Sequence, residues 1–254
     1  MIYCFDGSYP GFLTAVFESF ERRHFQVTPV ANNEFSGTLF EEIFEIITDV
    51  NKAERVQRGL LKKLKKNEVH DIFKVFLSDQ QEAWKALITI MQQVFLGNNA
   101  ILQNFGDPHV LLFDQTLTSV NRERHRMKAF IRFQKSDDGM FQATIEPDFN
   151  VLPLITDFFR KRYADQPWII YDVKRNYGVL YDLNSLTEVQ LSAVEQDSLM
   201  KSDQLVTVDE QEHHYQTLWK QYFKSTNIIA RKNMKLHLQH VPRRYWKYLI
   251  EKQD

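Results

Sequence analysis

Apolar and polar positions recur with two different periods along this chain, and each period predicts its own kind of element. The opening "IYCFDG" is a short apolar run closed by an Asp-Gly pair, which predicts a strand and a turn. In "GFLTAVFESFERRH", Phe12, Ala15, Val16, Ser19 and Phe20 recur at helical spacing and share a face. The stretch that follows is loop-like. "LFEEIFEIIT" then predicts a strand, and "DVNKAERVQRGLLKKLKK" a helix with Asp49 as N-cap and lysines in its last turns, where they complement the helix dipole. "NEVHDIFKVFLS" and "QEAWKALITIMQQVFLG" predict two further helices, the second stopped by Gly97.

Asp107 followed by Pro108 predicts the start of another helix, with Val110, Phe113, Leu117, Val120 and Met127 as its apolar seam. The period then changes to two. "AFIRF" and "FQATI", separated by "QKSDDGM" with its Asp-Gly pair, predict a hairpin. "DFNVLPLITDFFRKRYA" predicts a helix, since Pro153 is tolerated in a first turn, and "WIIYDV" with "YGVLYD" a second hairpin. The order β-β-α-β-β over 129–182 suits an antiparallel sheet with a helix on one face. Farther on, Thr207 and Glu210 form a capping-box pattern before a helix whose Tyr215, Leu218, Trp219 and Tyr222 share a face, and the last 26 or so residues predict one or two short helices. The expected class is α+β: an N-terminal β-α-β-α unit and helices, then the antiparallel sheet with flanking C-terminal helices. The expected division is 1–105 and 106–254, unless both form one compact domain.

Composition narrows the function classes. A chain of 254 residues with 43% hydrophobic residues can bury a sizeable core. No stretch approaches the roughly 18 uncharged apolar residues of a membrane helix, and the first residues have no basic, cleavable leader pattern, so no membrane association and a cytoplasmic location are expected. The single cysteine, Cys4, excludes an intramolecular disulfide, a cysteine-rich zinc site and a self-contained three-cysteine iron–sulfur cluster; in its apolar run it reads as a buried, inert thiol. There is no P-loop, glycine-rich dinucleotide turn, HExxH or nucleophile elbow, and no cofactor or metal is expected. His213 and His214 point different ways from one helix and read as surface residues.

Charge changes the picture more. The net charge is only −1, yet residues 121–135 carry six Lys/Arg against Glu123, and residues 220–252 carry nine against Glu251. Basic residues interleaved with aromatics, as in "PRRYWKY", are suited to phosphates and to base stacking; the plain alternative is a solvated face over packed rings. The nucleic-acid-binding candidates are Arg122, Arg124, His125, Arg126, Arg160, Arg162, Arg231, Lys232, Arg243, Arg244, Tyr245 and Trp246. At about 100° per residue, Arg124 falls within the apolar seam, so it should be partly buried and needs an anionic partner, either an acid of the sheet or a bound phosphate. Glu123 and His125 are a conceivable acid/base pair, although neighbouring helical positions diverge. Asp165, Asp172 and Asp182 are conceivable nuclease-type carboxylates, with ordinary ion pairing as the plainer reading.

Several long motifs then occur together and in order: "FDGSYPGFLTAVFES", "RERHRMKAFIRF", "IEPDFNVLPLITDFFRKRYADQPWIIYDVKRNYGVLYD" and "PRRYWKYLIE". Together they resemble an uncharacterised bacterial family, the "probable DNA metabolism protein" family, over nearly the whole chain. That family is typically encoded beside a radical S-adenosylmethionine protein of DNA modification or repair, and a related domain is fused to some uracil-DNA glycosylases. The chain departs from the pattern at Met234, where a proline would follow Asn233, which leaves the role of Asn233 open. The resemblance implies a DNA repair context and a radical partner enzyme; with one cysteine, the chain is not that enzyme. The leading expectation is thus a DNA-binding accessory protein. The alternatives are a glycosylase- or nuclease-like hydrolase with His125 or Asp172 as acid/base candidates, and a scaffold whose basic face binds an acidic protein.

Overall fold

The computed structural model describes residues 1–32, 42–136, 139–190, 241–249 and 252. The chain divides into two compact units, Met1–Asn121 and Arg122–Asp254. The expected helix around Tyr215, the histidines 213 and 214, Trp219, and the candidates Arg231 and Lys232 lie outside the described residues.

In the first unit β1 (Ile2–Phe5) is the centre of a three-stranded parallel sheet of order β2-β1-β3, with β2 at Thr28–Ala31 and β3 at Ile43–Glu45. All four β1 residues are buried, as expected of a parallel strand covered on both faces. Helix α1 (Tyr9–Glu21) provides the crossover to β2; its N-cap Ser8 accepts a hydrogen bond from the Gly11 N–H. Strand β2 is a correction, because that stretch reads as loop. Pro29 masks it, and a proline is tolerated there because β2 is an edge strand. Helix α2 (Val50–Lys63) starts on Asp49, which accepts from the Asn51 and Lys52 N–H groups, and α3 (Lys66–Phe76) and α4 (Gln81–Phe95) follow. Gly97, at φ 105°, lies just past α4. Phe5, Phe12, Phe76 and Trp84 pack as one aromatic cluster, and the Trp84 indole donates to the Phe76 carbonyl.

Helix α5 (Pro108–Phe130) is capped by Asp107, which accepts from the His109 and Val110 N–H groups. It runs on through "AF", so the strand expected at "AFIRF" is helix and then irregular chain, and the short β4 (Gln134–Lys135) begins beyond it. The second unit holds a five-stranded sheet of order β4-β5-β6-β7-β8, with β5 at Phe141–Ile145, β6 at Trp168–Asp172, β7 at Tyr177–Tyr181 and β8 at Leu186–Val189. The α+β class holds, as do the β-β-α-β-β order and the β6–β7 hairpin. One pairing differs from the fully antiparallel expectation: β5 and β6 are parallel, because α6 (Leu152–Arg162) carries the chain back between them. Trp168 on β6 packs against Phe133, Phe159 and Tyr181. A 3-10 helix spans Arg243–Tyr248. No helix among the described residues is long and apolar enough to cross a membrane.

Candidate nucleic-acid interface

The buried stripe of α5 comprises Val110, Phe113, Thr116, Val120, Glu123 and Met127. Steps of three and four average less than 3.6, so the stripe drifts around the helix and reaches Glu123 rather than Arg124. Arg124 lies on the flank, half-buried as expected, and Glu123 is 1% exposed. A carboxylate at that depth needs donors. Three converge on it: the Tyr245 hydroxyl at 2.5 Å, the Arg244 guanidinium at 3.0 Å and the Asp148 backbone N–H at 3.0 Å. Arg244 also pairs with the Asp148 carboxylate at 2.7 Å. Burial and the Glu123 carboxylate push the Tyr245 phenol well above its ordinary pKa, so it stays protonated and donating.

Asp148 belongs to the loop between β5 and α6, which leaves the sheet at the carboxyl end of its parallel pair. The same loop is held from every side. Lys247 pairs with Glu146 at 2.5 Å, and the Tyr248 hydroxyl donates to the same carboxylate oxygen. Lys174 and Arg175, from the β6–β7 turn, donate to the Pro147 and Asp148 carbonyls, and Tyr177 donates to Asn150. Asp172 is 0% exposed; it accepts from Arg175 at 2.9 Å and from the Lys174 and Arg175 N–H groups, while burial lifts its carboxyl above the usual range. Four stretches distant in sequence, "RERHR", "IEPDFN", "DVKRNY" and "PRRYWKY", therefore meet at one loop.

This hub sorts the candidates. Arg122 and His125 are exposed on α5, Arg124 and Arg126 are half-buried, and Arg243 is exposed on the 3-10 helix. Arg244 and Tyr245 fasten that helix to α5 through Glu123. Trp246 is half-buried and its indole donates to the Val241 carbonyl. Arg160 pairs with Asp157 at 2.6 Å, and the Arg162 guanidinium lies 5.8 Å from the Tyr163 ring. The Lys128 ammonium lies 4.8 Å from the Phe158 ring, so α5 touches α6 at that point.

The family described as "Domain of unknown function (DUF4130)" matches residues 81–251, about two thirds of the chain. The chain belongs to the DUF4130 family. No curated protein and no solved structure matches it. Every residue of the hub, from Glu123 to Tyr248, lies within the DUF4130 match. The three aspartates raised as nuclease-type carboxylates do not gather. Asp172 ends β6 at the turn, whereas Asp182 follows β7, whose Tyr181 faces Trp168 at the other end of β6. Five residues at about 3.3 Å each put roughly 15 Å between them. Among the described residues no group of three or more His, Cys, Asp or Glu is placed to hold a metal ion. Glu146, Asp148, Asn150, Lys174, Arg175, Tyr177, Lys247 and Tyr248 are the hub residues not singled out by sequence; all lie within the quoted motifs, and only the fold brings them together.

Proposed function

We propose that this DUF4130 chain is a cytoplasmic DNA-binding accessory protein of DNA repair or modification, presenting DNA to a radical S-adenosylmethionine enzyme that carries the chemistry. The reading rests on one observation: Glu123 pins the 3-10 helix that carries Arg243 to the basic half of α5, so basic segments more than a hundred residues apart in sequence meet at one carboxylate. The resemblance of the hub motifs to the "probable DNA metabolism protein" family supports the same context. Binding should be electrostatic, because the side chains that project are arginines on a rigid helix.

Fluorescence anisotropy of labelled DNA across a salt series tests this, with wild type against Arg122→Ala/Arg243→Ala. If Arg122, Arg124, Arg126 and Arg243 neutralise about four phosphates, the log–log slope of affinity on salt is about −3.6, and the double variant brings it near −1.8. Arg244 is unsuitable for this purpose, because its loss strips the Glu123 and Asp148 carboxylates of their cation. A salt-independent affinity, or no binding at low salt, overturns the proposal.

A further inference from the structure

The composition of "PRRYWKY" suits base stacking, but its geometry does not. Tyr245 is 2% exposed and fastened to Glu123, with the Arg244 guanidinium 4.6 Å from its ring. Tyr248 is tied to Glu146 through its hydroxyl, and the Lys247 ammonium sits 4.8 Å from its ring. Trp246 has the Lys252 ammonium at 5.4 Å and the Arg243 guanidinium at 6.0 Å from its ring centre, within cation–π range. On α6, Phe158 carries Lys128 in the same way. Each of these rings already holds a cation of its own chain. A base stacking on one would have to displace that cation.

Single-stranded DNA gains much of its affinity from open aromatic rings, whereas duplex DNA offers a stiff row of phosphates that needs only well-placed cations. Arg122 and Arg126 stand one turn apart on α5, about 6 Å along its axis. On one strand of a duplex, phosphates rise about 3.4 Å each, so this pair spans about two of them. Resting on the DNA-binding reading above, we infer that this face takes double-stranded DNA through its phosphates. Its aromatic residues are fasteners that aim the cations.

The test titrates the full chain with labelled 20-nucleotide single strands and 20-base-pair duplexes at matched salt. Tryptophan emission is followed in parallel on addition of unlabelled oligothymidine, and Trp246→Ala and Trp246→Phe are compared with wild type. Duplex affinity at least about tenfold above single-strand affinity, no tryptophan quenching by oligothymidine, and a duplex affinity within about threefold of wild type in Trp246→Phe is the expected result. Equal or tighter single-strand binding, with or without quenching, overturns the inference while leaving the DNA-binding reading standing. Absence of binding to either form at low salt overturns both. The comparison of single-strand with duplex affinity uses wild type alone and remains decisive if Trp246→Ala fails to fold.

Discussion

Glu123 is surrounded by four basic residues in sequence, and the obvious reading, that it is one acid lost among cations, misses its role. Its position on the drifting buried stripe puts the carboxylate where Tyr245, Arg244 and the Asp148 N–H can reach it. Removing one partner of a buried ion pair costs about 3–5 kcal/mol in general. Glu123→Ala should therefore cost about 3 kcal/mol in urea denaturation, reduced from the upper end because Arg244 keeps Asp148. Glu123→Gln, which still offers an acceptor to Tyr245, should cost about half as much. A loss below about 1 kcal/mol for the alanine variant would show that the carboxylate does not hold the hub together. Glu146 invites a pH test. The Lys247 hydrogen bond, more than the opposing burial, holds its carboxyl below the usual glutamate range. A folded-state pKa below the unfolded one stabilises above the ordinary glutamate pKa, and that contribution disappears as pH falls through the lowered value. The pair is about half exposed, so Glu146→Gln should cost only about 0.5 kcal/mol at pH 7 and nothing near pH 2. Asp172 works in the other direction: burial raises its carboxyl, so acid relieves a cost there. The assignment of Glu123 was within reach of the sequence. Taking the stripe at its observed spacing of three and four, rather than at an ideal 100° per residue, moves the buried position from Arg124 to its neighbour.

At the scale of elements, local signals were legible wherever one residue type dictates the backbone. Asp49 and Asp107 cap their helices, Gly97 lies past the end of one, and the β6–β7 hairpin follows its alternation. The misreadings share a cause. "AFIRF" alternates like a strand but begins inside a helix already 21 residues long at Lys128, and β2 is hidden by Pro29, so in both cases tertiary context overrides the local pattern. Parallel pairing of β5 and β6 cannot be read from alternation at all, because it depends on where α6 returns the chain. The β6–β7 pair also fixes Gly178. A Cβ there would lie 2.7 Å from the Tyr171 ring and 2.8 Å from the Ile170 carbonyl oxygen, and a backbone oxygen inside a ladder cannot give way cheaply. Gly178→Ala should destabilise by about 1–3 kcal/mol, lowering the melting midpoint by about 2–4 °C for each kcal/mol. An unchanged midpoint in calorimetry would mean that Tyr171 swings aside without cost.

Over the whole molecule, a net charge of −1 conceals a face where like charges are held together, and such a face carries a stability cost unless something uses it. Lys128 records that cost: burial first, and then the neighbouring Arg124, hold its ammonium below the usual lysine range. Arg124 and Lys128 stand four residues apart on α5, where like charges destabilise a helix by a few tenths of a kcal/mol. If the pair persists because DNA is its counterion, Arg124→Gln should move two measurements in opposite directions. Folding stability should rise by about 0.3 kcal/mol, because the repulsion is gone and Gln is nearly as good a helix former. Duplex affinity at low salt should fall, and the salt slope should shrink by about 0.9. A purely structural arginine would lower both, and a merely solvated one would change neither. The paired readout thus separates a charge kept for binding from a charge kept for folding, using one substitution on a half-buried residue that takes no part in the hydrogen bonds of Tyr245, Arg244 and the Asp148 N–H to Glu123.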